Sequence, residues 1–345
     1  MTSGPILVAD IGGTNTRFGL AGPSGILDGT LKRYSNNDHI NFYSLVAEYL
    51  NFQDVEKCSK ACLAVAAPVE DDAITLTNRD WHINKAGARE ATGAEDIRFL
   101  NDFEALGFAI DRLSTDQVLH VAGPKVTTNS EGARLVLGAG TGFNAAAITC
   151  GVDGHPKVRA AECGHMTLPV ETSNELSLRD HLAQNRGRAS VERALSGQGV
   201  LEIYEWVCSQ ANIMPQNYTA QEIVRLAIEK RDEACETTAK MLVRLLARIA
   251  GDLVLAFLPL GGLYLSGGVT RACRDLISSD LFWQEFTAKG RQGNLLRSIP
   301  VFLMTDDHAA LEGCLAAMMR PLSQQSSSLQ LGHSKNSITT KVAGF

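Results

Sequence analysis

The feature that most constrains this chain is a Gly-Gly-Thr-Asn turn between two apolar segments, within the stretch from Ile6 to Ala21. Apolar runs on both sides of a glycine turn are typical of a β-hairpin. Gly12 and Gly13 can adopt backbone angles closed to other residues, and they let main-chain N–H groups approach an anion. Thr14 and Asn15 add side-chain donors. The pattern favours a phosphate site at the hairpin tip, and an ordinary Gly-Gly hairpin is the alternative.

Asp10 ends the first apolar run and precedes the turn. A carboxylate at this position is poorly suited to contact a phosphate directly. It is well suited to hold Mg²⁺ through water, because Mg²⁺ keeps several of its waters in protein sites. We therefore expect Asp10 to be the magnesium residue of this turn.

A second stretch, from Arg134 to Thr149, repeats the order of strand, glycine turn and strand. Its turn contains Gly138, Gly140, Thr141 and Gly142. Two phosphate turns in one chain suggest a duplicated fold that closes on a nucleotide. The pattern resembles the actin-like, hexokinase-type (ribonuclease H-like) ATPase fold, which is α/β with two domains and a cleft between them.

A third glycine turn follows the apolar segment that begins at Leu263. Gly267 and Gly268 would let a nucleoside lie against the backbone. We expect this turn to belong to the same nucleotide site.

The length of 345 residues suits two domains better than one core. We expect a small domain over residues 1–113, completed by a C-terminal helix over 305–320, and a large domain over 114–304. Residues 321–345 are rich in Ser and Gln near their start and lack periodicity, so we expect a flexible tail.

Composition excludes several classes of partner. With a net charge of −6, the chain is a poor match for nucleic acid or for an anionic membrane surface. The N-terminus has no basic segment before its apolar run, and the apolar run from Leu253 to Leu265 is interrupted by Pro259 and glycines. We expect a cytoplasmic protein whose eight scattered cysteines are mostly core thiols.

Polar residues at element ends are the candidates for chemistry. Asn101 and Asp102 lie where an apolar strand turns into a helix. Either can cap that helix, which leaves the other free to act; an aspartate facing a phosphate cleft is placed as a general base. Glu162 and His165, three residues apart, could hydrogen-bond sugar hydroxyls, or could be an exposed Glu and a packed His.

Together these segments resemble the bacterial ATP-dependent glucokinases. The resemblance runs from about residue 6 to residue 320 and rests on six motifs that occur in the family's order: Asp10-Ile-Gly-Gly-Thr-Asn15, Leu100-Asn-Asp-Phe103, Gly138-Ala-Gly-Thr-Gly142, Glu162-x-Gly-His165, Glu192-Arg-x-Leu-Ser-Gly197 and Ser266-Gly-Gly-Val269.

The resemblance implies transfer of the γ-phosphate of ATP, with Mg²⁺, to the 6-hydroxyl of glucose, commonly by a homodimer. It places the catalytic base on Asp102 and the sugar contacts on Asn101, Asp102, Glu162, His165 and Glu192. It places the phosphate turns on Gly12 to Asn15 and on Gly138 to Gly142.

Two residues depart from the family's pattern, which has glycine at both positions. Asn144 replaces the first; asparagine tolerates a positive φ better than most residues. Cys163 replaces the second and puts a thiol beside Glu162 and His165. The identity of the sugar therefore stays open, with mannose or an amino sugar as alternatives to glucose.

Two further classes would share parts of the pattern. A non-catalytic or filament-forming actin-like ATP-binding protein would have the same hairpins. It would have no reason to place Asn-Asp, Glu-x-x-His and a further Glu in the cleft. A sugar-responsive regulator would need a DNA-binding segment, and the negative net charge disfavours one.

Overall fold

The computed structural model describes residues 4–67, 69, 73–76, 80–125, 132–151 and 154–319. The predicted tail, residues 321–345, lies outside the described residues. The elements of the first part of the chain are β1 (Ile6–Ile11), β2 (Asn15–Gly22), β3 (Gly25–Ile26), β4 (Lys32–Ser35), α1 (Phe42–Phe52), β5 (Lys60–Val65), β6 (Ala73–Thr75), β7 (His82–Asn84), α2 (Lys85–Thr92), β8 (Asp96–Asn101) and α3 (Asp102–Ala109).

The second part begins with strands that again precede a group of helices. These elements are β9 (Val118–Ala122), β10 (Arg134–Ala139), β11 (Phe143–Cys150), β12 (Pro156–Ala160), α4 (Ser173–Arg186), α5 (Val191–Ala194), α6 (Gly197–Gln210), α7 (Ala220–Ile228), α8 (Glu233–Phe257), β13 (Gly262–Ser266), α9 (Gly268–Ala272), α10 (Arg274–Ile277), α11 (Asp280–Thr287), α12 (Gly293–Arg297), β14 (Val301–Met304) and α13 (Ala309–Met318).

The first sheet has the order β3-β2-β1-β5-β8, and β4 also pairs with β2. β1 and β2 form the predicted antiparallel hairpin, while β1, β5 and β8 run parallel. The buried apolar residues of β1 and β5 suit central strands covered on both faces. The glycine turn therefore lies at the carboxyl end of β1, where ligands bind in such sheets.

The second sheet repeats this arrangement in the order β12-β11-β10-β13-β14, with β9 added beside β14. The hairpin of β10 and β11 is again antiparallel, and β10, β13 and β14 are parallel. The common strand order is what a duplicated fold predicts. It places the second glycine turn at the corresponding end of its own sheet.

Two helices link the sheets. α13 packs on the first sheet, where Leu311 and Cys314 join a buried cluster with Val8 and Cys62. α3 packs on the second sheet, where Phe103 joins a cluster with β10 and β11 residues. The two helices pack closely at Gly313, because a Cβ there would overlap the carbonyl oxygen of Ala105. The packing of α13 suits the predicted small domain, although the division into domains stays a prediction.

α13 begins at Ala309, four residues later than the predicted helix over 305–320. Its start is displaced because Asp306 accepts a hydrogen bond from the His308 N–H at 2.8 Å, and Asp307 is held in ion pairs. The backbone before Ala309 therefore forms a turn instead of a first turn of helix.

The helices of the second part follow the signals in the sequence. Thr219 and Glu222 form the predicted capping box of α7, and Ser196 caps α6. α8 is mostly buried over its 25 residues. Seven of the eight cysteines are buried free thiols, and Cys150 is an exposed one, in agreement with the prediction of core thiols. Within the described residues, none of the helices combines the length and the apolar character needed to cross a bilayer.

Candidate active site

The first turn joins β1 to β2 by a short connection. The Gly12 N–H donates to the Asn15 carbonyl at 3.0 Å, and the Thr14 side chain is exposed at the tip. Neither Gly12 nor Gly13 has a left-handed φ. The freedom of these glycines to adopt unusual backbone angles is therefore not used in this turn. What they provide is access to the main chain.

Asn36, in the short 3₁₀ turn after β4, supports the first turn from behind. Its side-chain Nδ2 donates to the Gly12 carbonyl at 2.8 Å, and its backbone N–H donates to the Thr14 carbonyl at 2.9 Å. The Thr16 hydroxyl donates to Oδ1 of Asn36 at 2.7 Å. Asn36 is fully buried. It belongs to none of the motifs, so the sequence alone offers no signal for it.

A chain of charges runs from the first turn toward α13 and α9. Arg17 donates to Asp10 at 3.0 Å and to Asp307 at 2.7 Å, and Asp307 also pairs with Arg271. Burial raises the pKa of the Asp10 carboxyl above its ordinary value, and the charge of Arg17 opposes this rise. The register of the hairpin, which pairs Asp10 with Arg17, could have identified Arg17 from sequence.

The second turn is held by close packing. A Cβ at Gly138 would overlap the Ser266 carbonyl oxygen on the neighbouring strand, and a Cβ at Gly142 would overlap Oε2 of Glu192. The Gly140 N–H donates to the Gly142 carbonyl at 2.8 Å. The Thr141 side chain is exposed at the tip. Glycine is required at Gly138, where backbone fills the space, whereas a side chain at Gly142 would have to displace the Glu192 carboxylate.

The third turn packs against the second. Gly267 has a φ of 94°, and a Cβ there would also overlap the Ala139 carbonyl oxygen. The Ala139 N–H donates to the Thr270 hydroxyl at 2.9 Å. At Gly268, by contrast, no atom of the described residues lies within 4 Å of the Cβ position, apart from its chain neighbours and the backbone of α9 itself. Of the two predicted nucleoside glycines, Gly267 is thus explained by packing, and Gly268 presents open backbone.

Asn101 and Asp102 lie at the junction of β8 and α3. Asn101 is the N-cap of α3, since its Oδ1 accepts from the Phe103 N–H at 3.0 Å. Asp102 accepts a second bond from the same N–H at 3.0 Å. Asn101 Nδ2 donates to the Ala67 carbonyl at 3.4 Å, a long bond. Asn101 therefore caps α3, and the Asp102 carboxylate is not needed as a cap.

The pKa of Asp102 is raised to about 7. Burial is the largest cause, followed by the negative charge of Asp10; two backbone N–H groups oppose the shift, and the charge of Glu162 adds to it. The carboxylates of the first turn and of the Glu162 loop are thus both close enough to act on Asp102. A carboxyl that titrates near neutral pH is suited to proton transfer.

The residues predicted to contact sugar lie on a loop and a short helix of the second part. Oε2 of Glu162 lies 3.8 Å from Nε2 of His165, and both side chains are more than half exposed. Glu192, in α5, lies against Gly164 of this loop and accepts from the Phe143 N–H at 3.1 Å. Glu192 therefore connects the loop with the second glycine turn.

The two residues that depart from the family's pattern are in contact. Oδ1 of Asn144 accepts from the Cys163 N–H at 3.0 Å and from the Ala145 N–H at 2.9 Å. Asn144 does not have a positive φ, so its predicted tolerance of that geometry is not used. The Cys163 side chain is buried in the core cluster of the second sheet. The thiol therefore does not line the exposed face of the Glu162 loop.

Comparisons with known proteins agree over nearly the whole chain. A family model described as Glucokinase matches residues 7–321. The glucokinase of Hahella chejuensis (strain KCTC 2396) is 30% identical over 312 residues, which cover 90% of this chain and 96% of that protein. The glucokinase of Pseudomonas paraeruginosa (strain DSM 24068 / PA7) is 31% identical over 328 residues, which cover 94% and 95%.

A solved structure agrees with the fold. The crystal structure of a glucokinase from an Antarctic psychrotroph matches with a TM-score of 0.77 and 29% sequence identity. The match covers 91% of this chain and 98% of that one.

Proposed function

The chain belongs to the glucokinase family, and we propose that it transfers the γ-phosphate of ATP to the 6-hydroxyl of glucose through Asp102. The family confirms the predicted actin-like, hexokinase-type fold and the ATP-dependent hexose kinase activity. The observation that supports the residue assignment is the position of Asp102. It lies under the influence of both Asp10 and Glu162, and its pKa is about 7.

Asp102 acts as the general base in this proposal. Phosphoryl transfer passes through a loose transition state, so positioning and charge neutralisation supply most of the rate. The ionised Asp102 orients the sugar hydroxyl and takes its proton late in the reaction. Because its pKa is about 7, a substantial fraction of this carboxylate is ionised at neutral pH.

The glycine turns hold the phosphates. We assign the β- and γ-phosphates to the main-chain N–H groups of the turns at Gly12–Asn15 and Gly138–Gly142. The nucleoside lies against the open backbone at Gly268. Arg17 of β2 and Arg271 of α9 lie in the same charge chain, where Asp10 and Asp307 balance their charges.

The donor set fits a magnesium ion that is held mainly by phosphate and water. Within the described residues no group of three or more acidic, His or Cys side chains is placed to bind a metal. Asp10 is a single carboxylate beside the phosphate turn, already paired with Arg17 at 3.0 Å. It would hold the ion through water, and the ion would offset the charge of the phosphates.

The sugar is bound by Glu162, His165 and Glu192 on one side and by the Asn101-Asp102 junction on the other. The exposed carboxylate of Glu162 and the imidazole of His165 offer an acceptor and a donor to adjacent hydroxyls. Asn101 can contribute Nδ2, because its bond to Ala67 is long at 3.4 Å. The Cys163 side chain is buried in the core cluster, so its thiol gives no reason to assign a sugar other than glucose.

The test is release of ADP with a panel of hexoses, each measured with and without Mg²⁺. Glucose with Mg²⁺ should give the highest kcat/KM, with mannose and glucosamine lower. Equal ATP turnover with and without every sugar would favour a non-catalytic or filament-forming relative instead. A higher kcat/KM for mannose or for an amino sugar would reassign the substrate while leaving the kinase assignment intact.

We further propose that the enzyme is a cytoplasmic homodimer. This assignment rests on the resemblance to the family, whose members are commonly homodimers. Light scattering after size-exclusion chromatography should give twice the mass of one chain, and the mass of a single chain would overturn it.

A further inference from the structure

Asn36 is connected to the first phosphate turn by two hydrogen bonds and to Thr16, at the start of β2, by a third. Its amide reaches the Gly12 carbonyl, its backbone N–H reaches the Thr14 carbonyl, and its Oδ1 receives the Thr16 hydroxyl, over distances of 2.7 to 2.9 Å. A fully buried asparagine that makes these bonds has a defined orientation. Because Oδ1 accepts from Thr16, the Nδ2 group is directed at Gly12.

The direction of two carbonyls decides the direction of two N–H groups. A trans peptide unit points its C=O and its N–H to opposite sides. The Gly12 carbonyl shares a peptide unit with the Gly13 N–H, and the Thr14 carbonyl shares one with the Asn15 N–H. Since both carbonyls are hydrogen-bonded to Asn36, both N–H groups point away from Asn36.

The amide of Asn36 also bonds to a carbonyl that flanks the turn. In a closed two-residue hairpin, the residues that flank the turn exchange two hydrogen bonds. Gly12 here donates to Asn15 at 3.0 Å, but its own carbonyl accepts from Nδ2 of Asn36 at 2.8 Å. The position of the Gly12 carbonyl is thereby fixed by the Asn36 side chain.

We propose that Asn36 is a positioning residue that presents the main-chain N–H groups of the first turn to the ATP phosphates. This inference rests on the proposed nucleotide site but not on the identity of the sugar. Asn36 acts through the turn and does not contact the substrate. Its loss should weaken nucleotide binding more than sugar binding.

The informative variants are Asn36→Asp and Asn36→Ala. Asn36→Asp keeps the shape and the acceptor for Thr16, but it removes the donor and places an oxygen against the Gly12 carbonyl. We expect each variant to raise the dissociation constant for MgADP, and to lower kcat/KM for MgATP, about 10-fold. The dissociation constant for glucose should change less than about twofold.

Thr30→Val is the matched control. Thr30 lies in the segment between β3 and β4 and is also buried. Its hydroxyl bonds with Leu20, near the end of β2 away from the turn, and with Leu27, which follows β3. This variant should lose thermal stability as the Asn36 variants do, because each removes buried hydrogen bonds. Its nucleotide affinity should stay at the wild-type value. A purely structural role for Asn36 would make the two kinds of variant behave alike.

Calorimetric titration with MgADP separates this inference from the proposed function. If the wild type binds MgADP but phosphorylates no sugar, the proposed function fails and the Asn36 variants still decide the inference. Nucleotide affinity within about twofold of the wild type in both folded Asn36 variants would overturn it. Failure of the wild type to bind MgADP would overturn both.

Discussion

The two phosphate turns share the order of strand, glycine turn and strand, yet they are supported in different ways. The second turn is packed: main chain fills the space beside Gly138 and the Glu192 carboxylate fills the space beside Gly142. The first turn is open. A Cβ at Gly12 would approach only the Asn15 carbonyl of its own turn, at 3.3 Å, and hydrogen bonds to Asn36 hold its backbone.

This difference shows that one sequence pattern can meet two physical requirements. In the second turn, glycine allows neighbouring strands and α5 to approach. In the first turn, glycine leaves the main chain accessible. The shape of this turn depends on Asn36, which lies in another loop. We therefore expect substitutions in the second turn to affect folding and those in the first to affect nucleotide binding.

The largest expected difference is between Gly138→Ala and Gly12→Ala. The added methyl at position 138 meets backbone that cannot move aside, so Gly138→Ala should cost about 4 kcal/mol or more of stability, or prevent folding. Gly12→Ala should cost about 1 kcal/mol or less, while lowering kcat/KM for MgATP about 10²-fold. Urea unfolding and steady-state kinetics measure the two effects. Similar losses of stability in both variants would remove the distinction.

The charge chain beside the first turn gives an intermediate effect. Asp307→Asn removes the carboxylate that holds Arg17 and Arg271 in place, so both guanidinium groups lose their position and kcat/KM for MgATP should fall about 10-fold. The loss of stability should be about 1 kcal/mol or less, because Asp307 is 44% exposed.

The pH dependence tests this assignment. The pKa of Asp307 lies below its ordinary value, mainly because Arg271 and Arg17 outweigh the effect of burial. Its contribution to stability is therefore present above the ordinary aspartate pKa and is lost as the pH falls through the lower, folded-state pKa. The melting temperatures of Asp307→Asn and wild type should differ at pH 7 and converge in acid. A constant difference over this range would show that the charge of Asp307 is not responsible.

In contrast to the losses above, a gain in stability is expected on removing the charge of Asp102. The folded protein holds this proton up to about pH 7, whereas an unfolded aspartate releases it near the model value of 3.8. Stability from this group is therefore lost as the pH rises between these values. Asp102→Asn should melt a few degrees higher than wild type at pH 8, by about 1 kcal/mol or more, and this advantage should shrink toward pH 5. A lower melting temperature at pH 8 would contradict the burial of this charge beside Asp10.

Local patterns predicted much of this protein. The hairpins, the capping box at Thr219 and the junction at Asn101 and Asp102 follow from residues close together in sequence. The register of the first hairpin even places Arg17 opposite Asp10. Motifs in family order supplied the fold and the activity.

The parts that the sequence could not predict depend on distant residues or on burial. Arg17 and Asp307 are nearly the whole chain apart, and their pairing arises only once α13 packs on the first sheet. The sequence suggested that Asn144 tolerates a positive φ, but in the structure its φ is not positive. Its Oδ1 instead accepts a hydrogen bond from the Cys163 N–H, which is 19 residues away. The raised pKa of Asp102 comes chiefly from burial, which no spacing of residues reveals.

The most direct test of the account is the rate of phosphoryl transfer in Asp102→Asn, measured in a single turnover with bound glucose and MgATP. The substitution keeps the shape and removes proton acceptance, so the rate should fall about 10²–10⁴-fold. Glucose affinity, measured separately, should survive. Glu192→Gln is the comparison, and it should weaken glucose binding more than it slows transfer. A near-normal rate of transfer in Asp102→Asn would show that Asp102 is not the base.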